Sequence, residues 1–258
     1  MFTNNFDPVA FNFFIFDIRW YSLSYILGIL LGWIYIKKFY LTDSSSEALF
    51  DKYISYLIIG IIMGGRLGYV LLYDLNYFIK NPIEIIFLWN GGMSFHGGIL
   101  GVIIASYLFA KKNSLKTFYY LDLVSLAAPI GIFFGRVANF INSELYGRPT
   151  DMTWSVVFIK VDDINRHPSQ IYEALMEGLV LFIILNYIMK SYHKREGLIS
   201  GFFLIYYSMF RFFIEFTREP DQHIGFIFSQ FTFGQIISFV SLIVGIIIIY
   251  IKKNAKIQ

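Results

Sequence analysis

Apolar residues recur along this chain in windows of about twenty, the length needed to cross the hydrocarbon core of a bilayer. Polar connections separate them. The pattern predicts seven transmembrane helices, near residues 20–36, 53–73, 94–110, 118–141, 170–189, 198–216 and 232–251. Pro129 falls inside the fourth window, where a membrane helix tolerates it if neighbours satisfy the freed carbonyl. Asp122 near the start of that window fits an interfacial position. Between the fourth and fifth windows, residues 142–168 form a longer connection, and Thr153–Ile159 within it has the β-branched and aromatic character of a short strand. The expected fold class is an all-α polytopic membrane protein, a single membrane domain over 1–258 with a small external head or cap at 142–168.

The connections orient these spans. One set carries Lys37, Lys38 and Lys52; Lys111, Lys112 and Lys116; Lys190, Lys194 and Arg195; and Lys252, Lys253 and Lys256, four groups of three. The other set carries six: Arg19, Lys80, Arg148, Lys160, Arg166 and Arg218. The positive-inside bias places the N-terminus outside and the C-terminus in the cytoplasm, and an odd number of spans requires termini on opposite sides. Composition supports the membrane assignment: 15% of residues are charged and 57% hydrophobic, against about 25% charged in soluble domains. Asn12, Asp17 and Arg19 interrupt the first apolar run and no basic region precedes it, so no cleavable signal peptide is expected. Cysteine is absent, which removes disulfides, thiolate nucleophiles and cysteine metal sites from consideration.

The remaining basic residues, Arg66, Arg136 and Arg211, lie inside spans, in the outer half by this topology. An arginine at the centre of a membrane helix costs about 2.5–3.5 kcal/mol on insertion scales, and such a residue is a functional-site hypothesis by default. The densest polar stretch is G-R-V-A-N-F-I-N-S-E-L-Y-G-R-P, Gly135–Pro149, where Arg136 and Asn139 share a helical face and Asn142, Glu144 and Arg148 follow. M-S-F-H-G-G sets His96 at a glycine-lined entry to the third span, where an imidazole can accept a proton near neutral pH. In M-G-G-R-L-G-Y, Arg66 is either a lipid-binding charge or a structural tie to a carboxylate. Arg211 and Glu215 lie four apart and form either a self-neutralising pair or part of a longer stripe with Tyr207 and Arg218.

H-P-S-Q-I-Y-E opens the fifth span. Pro168 suits a helix start, His167, Ser169 or Gln170 offers a cap, and Glu173 and Glu177 share a face suited to structural pairing with Arg66, Arg136 or Arg211. Arg19, Trp20 and Tyr21 read as an interfacial anchor. Zinc, P-loop, G-x-S-x-G and D-D-x-x-D patterns are missing. No metal or cofactor is therefore expected. Arginine forks match phosphate bidentately, so the residues describe a site for an anionic, phosphate-bearing lipid. A transporter or flippase for an anionic lipid or solute, and a structural subunit with every charge paired, remain alternatives at this point.

These motifs, with G-G-R-L-G-Y and R-F-F-I-E-F-T-R-E-P-D in the same order, resemble the bacterial prolipoprotein diacylglyceryl transferases from about Trp20 to Asp221. Ala138 and Ser143 stand where that family usually has glycine, and Tyr146 where it often has tryptophan. The resemblance implies transfer of the sn-1,2-diacylglyceryl group of phosphatidylglycerol to the lipobox cysteine thiol in the signal peptide of a preprolipoprotein. A thioether forms and glycerol 1-phosphate leaves, the first step of bacterial lipoprotein maturation. It implies a multi-pass protein of the bacterial plasma (inner) membrane, with its active site towards the external leaflet, and seven helices with an external head. No nucleic-acid partner is expected, and a monomer is. Carried over by motif, the important positions are Tyr21, His96, Arg136, Asn139, Glu144, Gly147, Tyr207, Arg211 and Glu215. The expected roles are phosphate binding by Arg136 and Arg211, their orientation by Glu215 and Glu144, proton transfer by His96, and auxiliary lipid binding by Arg66.

Overall fold

The structure is a computed structural model and describes residues 2–14, 16–192, 195–220, 226–227 and 231–254. Asp221 of the last motif, and Lys194 and Lys256 of the basic groups, lie outside the described residues. The chain opens with strand β1 (Phe2–Asn4) and the antiparallel hairpin β2 (Val9–Phe13) and β3 (Phe16–Arg19). The N-terminal strands were not expected from the sequence, although the hairpin's crowding of Val, Ile and Phe between polar breaks is a strand signal.

Helices then occupy each predicted window: α1 (Trp20–Tyr40), α2 (Ser44–Leu72), the short α3 (Leu75–Lys80), α4 (Phe95–Lys112) and α5 (Thr117–Asn142). The connection at 142–168 supplies β4 (Val156–Phe158), inside the predicted strand, and β5 (Asn165–Arg166). The fifth window forms α6 (Ser169–Glu173), a π-helical stretch at Ala174–Val180 and α7 (Leu181–Tyr192). Then come α8 (Leu198–Ile214), strands β6 (Phe226–Ile227) and β7 (Phe231–Thr232), and α9 (Phe233–Asn254).

Five of these segments are long and apolar enough to cross a membrane: Trp20–Tyr40, Ser44–Leu72, Thr117–Asn142, Ser169–Tyr192 and Phe233–Asn254. Helix α8, with 17 residues, is shorter. Large apolar side chains such as Ile59, Ile183, Tyr187 and Val240 lie more than half exposed along these helices, a surface suited to lipid rather than water. The molecule is a mostly helical, polytopic membrane protein. Helix α2 begins nine residues ahead of its apolar window because its start is set by a cap. Asp43 accepts from the Ser46 amide at 2.8 Å. Hydrogen bonds from Ser45 and Ser46 hold the Asp43 carboxyl down at about 2.

The residues gather into two compact units, one comprising Met1–Ile36 with Asp122–Gln258 and the other Lys37–Leu121. In the second, α2 and α4 touch backbone to backbone along Gly60, Gly64 and Gly101; a Cβ on Gly64 would stand 2.8 Å from the Gly101 Cα. Small residues are what allow such an approach in lipid, where packing rather than a hydrophobic drive holds helices together. The Tyr53 hydroxyl and Ser106 Oγ meet at 2.6 Å in the same interface.

In the first unit, β1 pairs parallel with β4, and β4 pairs antiparallel with β5, so the N-terminal strand joins the small sheet of the 142–168 connection. Asn4 is buried there and donates to the Phe140 carbonyl at 2.6 Å, satisfying one of the orphan acceptors at the end of α5. At the other end of α5, Asp122 accepts from the Gly197 amide at 2.6 Å and the Ser200 amide at 2.8 Å. It thereby caps α8, whose own N-cap position is Gly197 and supplies no side chain. Asp122 is buried. Helix α9 carries its own reciprocal cap: Thr232 Oγ1 accepts from the Gln235 amide at 3.3 Å, and Gln235 Oε1 accepts from the Thr232 amide at 3.0 Å.

Gly64→Ala is expected to overpack the α2–α4 contact at a cost of about 1–3 kcal/mol and to lower the melting temperature in detergent. Gly98→Ala, whose Cβ would meet nothing within 4 Å, should leave it unchanged. Equal melting curves for the two variants would show that the close approach does not hold the unit together.

Candidate active site

The Gly135–Pro149 stretch closes α5 and then ties three other elements to it. Ser143 takes a left-handed conformation at φ 59°, and its amide donates to the Phe140 carbonyl at 3.1 Å. That backbone favours glycine, which gives a physical reason for glycine to be usual at this position in the resembling family. The Glu144 amide returns to the Asn139 carbonyl at 2.9 Å. Gln170 Nε2 donates to the Glu144 carbonyl at 2.7 Å and Ser169 Oγ to the Leu145 carbonyl at 3.0 Å. Those two side chains were expected to cap their own helix; instead the N-cap position is Pro168 with no side-chain bond, and they hold the loop after α5.

Gly147 lies between two strands of chain. Its amide donates to the His167 carbonyl at 3.1 Å, and it bridges to Arg218. A Cβ there would stand 2.6 Å from His167 Cβ and 2.8 Å from the Thr217 carbonyl oxygen, so only glycine fits. Arg148 Nε donates to the Arg218 carbonyl at 2.8 Å, just past the end of α8, where carbonyls lack intrahelical partners. Arg166 pairs with Asp162 at 2.5 Å, reaches Glu219 at 3.4 Å and lies over the Tyr146 ring at 4.8 Å. The Arg166 guanidinium beside Asp162 holds that carboxyl below its ordinary value, while burial pushes the His167 imidazole down.

These ties bring the ionisable faces of α5, the fifth window and α8 together. Arg136 Nε lies 3.0 Å from Glu173 Oε2, and its Nη2 lies 3.3 Å from Glu177 Oε2. Arg211 Nη1 contacts Glu173 Oε1 and lies 3.7 Å from Glu177 Oε1, while its Nη2 lies 2.7 Å from Glu215 Oε2. Arg218 Nη1 is 3.6 Å from Glu173 Oε1. Glu173 and Glu177 are fully buried. The other oxygen of Glu215 accepts from Thr232 Oγ1 at 3.0 Å, which joins the cluster to the start of α9. There the helix macrodipole favours a negative charge. Tyr207 belongs to the same electrostatic neighbourhood as Arg136, Arg211, Glu173 and Glu177, and stacks on Phe203 with ring centroids 5.7 Å apart.

Of the sequence-derived positions, Arg136, Tyr207, Arg211 and Glu215 are thus brought into one cluster. Asn139 and Glu144 stand beside it, joined by an Nδ2–Oε2 bond of 3.1 Å, with Asn142 Nδ2 at 3.4 Å from the same carboxylate. Glu144 therefore meets asparagines, and the carboxylates that hold the arginines are Glu173, Glu177 and Glu215. Glu173, Glu177 and Arg218 were undervalued. Their signal was spacing: the glutamates lie four apart, and Arg218 lies one turn beyond Glu215. Tyr21, at the head of α1, places its hydroxyl 3.2 Å from that of Tyr25 and has Glu144 and Arg136 as electrostatic neighbours.

His96 and Arg66 belong to the second unit. His96 sits in the first turn of α4 behind the N-cap Ser94, whose Oγ accepts from the Gly97 amide at 3.2 Å. Arg66 meets backbone rather than a carboxylate or an open surface. It donates to the carbonyls of Glu84 at 2.7 Å, Ile85 at 2.9 Å, Phe87 at 3.3 Å, Gly92 at 3.2 Å and also Gly91. The guanidinium is buried and spent on shaping the segment between α3 and α4, so the auxiliary lipid-binding role expected for it gives way to a structural one. Among the described residues, no group of three or more His, Cys, Asp and Glu could hold a metal ion.

An arginine–glutamate cluster with amides and tyrosines beside it can bind and polarise an anion. The family model described as prolipoprotein diacylglyceryl transferase matches residues 8–251. A Rickettsia bellii (strain OSU 85-389) protein named phosphatidylglycerol--prolipoprotein diacylglyceryl transferase is 50% identical over 257 residues, covering 98% of this chain and 97% of its own length. Proteins of the same name from Rickettsia typhi and Ehrlichia canis are 48% and 47% identical over 258 and 256 residues; each alignment covers 98% of this chain, and 98% and 97% of the relatives. With its length matched almost from end to end, this chain belongs to the prolipoprotein diacylglyceryl transferase family.

Proposed function

We propose that this chain is a transferase that moves the diacylglyceryl group of phosphatidylglycerol onto a prolipoprotein, the first step of lipoprotein maturation. The observation that carries this reading is the buried cluster of Arg136, Arg211 and Arg218 with Glu173, Glu177 and Glu215, in a chain whose relatives are named for that activity. In the finer form of the proposal, seven helices cross the bacterial plasma membrane with the N-terminus outside, and the cluster faces the external leaflet. The protein acts there as a monomer, and the acceptor is the lipobox cysteine of the preprolipoprotein signal peptide.

The chemistry asks little of the protein beyond charge placement. The thiol loses its proton, its sulfur bonds to the glyceryl carbon, and the bond from that carbon to phosphate oxygen breaks. Glycerol 1-phosphate leaves with the electron pair. Negative charge gathers on the departing phosphate, where preorganised donors act most strongly. Arg136 engages its glutamates through Nε and Nη2, and Arg211 through Nη1 and Nη2. Each guanidinium has five N–H donors, enough to hold a carboxylate and a phosphate oxygen together. In this proposal Arg136 and Arg211 bind the phosphate, Glu173, Glu177 and Glu215 fix their planes, and Tyr21, Asn139, Glu144 and Tyr207 line the approach. Gly147 keeps the loop after α5 against α8. A free thiol has a pKa of about 8.5 and is only a few per cent ionised at neutral pH, so we assign proton acceptance to His96.

Incubating the purified protein with phosphatidylglycerol and a lipobox peptide should add one diacylglyceryl mass to the peptide; an unchanged peptide mass would overturn the proposal. Arg211→Ala should lower turnover by about 10²–10³-fold, as removal of one oxyanion donor does. Retained turnover would take Arg211 out of the phosphate site. Arg136→Lys keeps the charge but loses the fork, and should also lose most activity, whereas a purely structural charge would survive the change. His96→Gln should be slow near neutral pH and recover as pH rises towards the thiol's own ionisation; a pH profile identical to the unmodified enzyme would show that His96 is not the base.

A further inference from the structure

Three short stretches of chain, 146–149, 165–167 and 217–219, lie side by side. The middle one bridges to Arg218 through Gly147 and to Arg166 through Pro149. The Arg148 amide donates to the Thr217 carbonyl at 2.8 Å, and the Glu219 amide to the Tyr146 carbonyl at 3.1 Å. On the other side the His167 amide donates to the Arg148 carbonyl at 3.0 Å. Pairings this short hold little by themselves.

The Arg166 side chain spans all three. Its Nε and Nη2 hold Asp162. Its Nη1 donates to the Gly147 carbonyl at 3.1 Å, in the middle stretch, and to Glu219 Oε2 at 3.4 Å, in the far one. The guanidinium lies over the Tyr146 ring at 4.8 Å. Arg166 is buried, although Asp162 and Glu219 stand partly in the open. A solvent-exposed ion pair alone contributes little to a fold. Here one planar group is engaged along its edges and across its face, a geometry that a lysine ammonium cannot supply.

Glu219 directly follows Arg218, and the two side chains take different partners. Glu219 meets Arg166, while Arg218 Nη1 lies 3.6 Å from Glu173 Oε1 in the cluster. Arg148 Nε holds the Arg218 carbonyl at 2.8 Å. The contacts of Arg166 thus end one residue from a charge of the cluster, on the backbone that carries it. The Arg218–Glu173 contact is already longer than the roughly 2.7–2.9 Å of a strong charge-assisted bond, so small displacements of that backbone decide whether it persists.

We infer that Arg166 is a positioning residue of the transfer reaction: through Gly147 and Glu219 it holds the backbone that presents Arg218 to Glu173. The inference rests on the reading under Proposed function, in which the cluster serves the departing phosphate. It extends that machinery to a side chain whose own partners, Asp162, Gly147, Glu219 and Tyr146, lie outside the cluster.

Steady-state kinetics of the full-length protein in non-ionic detergent, with phosphatidylglycerol and a lipobox peptide, test it. Arg166→Lys keeps the charge but not the fork, and kcat should fall about 10–100-fold, the scale of a misplacement near 1 Å, with the peptide's KM unchanged. Unchanged kcat, or a raised peptide KM at full kcat, would overturn the inference. Arg218→Lys should also lower kcat, and the double variant should be no slower than Arg218→Lys alone. Losses that multiply, or no loss in Arg218→Lys, would show that Arg166 does not act through Arg218. Glu219→Gln leaves the Asp162 and Gly147 contacts in place and should lower kcat about two- to fivefold, the scale of one partly exposed ion pair. It decides the question if Arg166→Lys does not fold, and full kcat in this variant would count against the inference. Amide hydrogen exchange needs no turnover and so separates the inference from the function it rests on. In Arg166→Lys the Arg148 and Glu219 amides should exchange about tenfold faster while those of α9 keep their rates. Unchanged exchange at Arg148 and Glu219 would overturn the positioning role and leave the proposed function standing; no transfer by the unmodified protein would overturn both.

Discussion

Three arginines and three glutamates, gathered in one largely buried cluster, are the constraint on which the helical frame depends. Each buried ion costs several kcal/mol of desolvation, recovered only when geometry is good and the remaining donors and acceptors are met. Arg136, Arg211 and Arg218 cannot be placed among apolar helices one at a time. They come with Glu173, Glu177 and Glu215 or not at all. The positions of α5, α6 and α8 are therefore set by ion pairs as well as by side-chain packing, and the loop after α5 is built to keep them there.

That loop explains why so much of its sequence is polar. Glu144 and Leu145 offer carbonyls to Gln170 and Ser169, Gly147 lies against His167 and Thr217, and Arg148 closes the end of α8. Of these, the Arg148 bond reaches the cluster itself, at the main chain of Arg218. Each fixes an element that carries one of its charges, so the residues around the site serve its geometry while the cluster itself serves its electrostatics.

Much of this was legible in the sequence, because periodicity and insertion cost are local properties. The apolar windows located the long helices, and arginines within them marked the candidate site without any knowledge of the fold. Partner choice was less legible. Glu173 and Glu177 were open to three arginines and took two of them; Arg66 was offered a carboxylate and took backbone carbonyls instead. Such choices depend on which faces meet in space, and spacing along the chain does not encode that. The π-helical stretch at Ala174–Val180 and the capping of α8 by Asp122 were invisible for the same reason. The N-terminal strand β1 pairs with a segment more than 150 positions away in the sequence.

Asp122 lies near the start of α5 and Arg148 beyond its end, and both grip α8: one at its first amides, the other at a carbonyl beyond its last turn. Helix α8 is 17 residues long, roughly 25 Å at 1.5 Å per residue. Clamped at both ends, it behaves as a ruler with two fixed marks. Sliding by one turn, about 5.4 Å, would break both grips at once and carry Arg211 past Glu173. Inserting or deleting even a single residue in α8 between the clamps would rotate Arg211 by about 100° around the axis. The length of α8 is therefore itself part of the site, as much a determinant of charge placement as the identity of the charged residues.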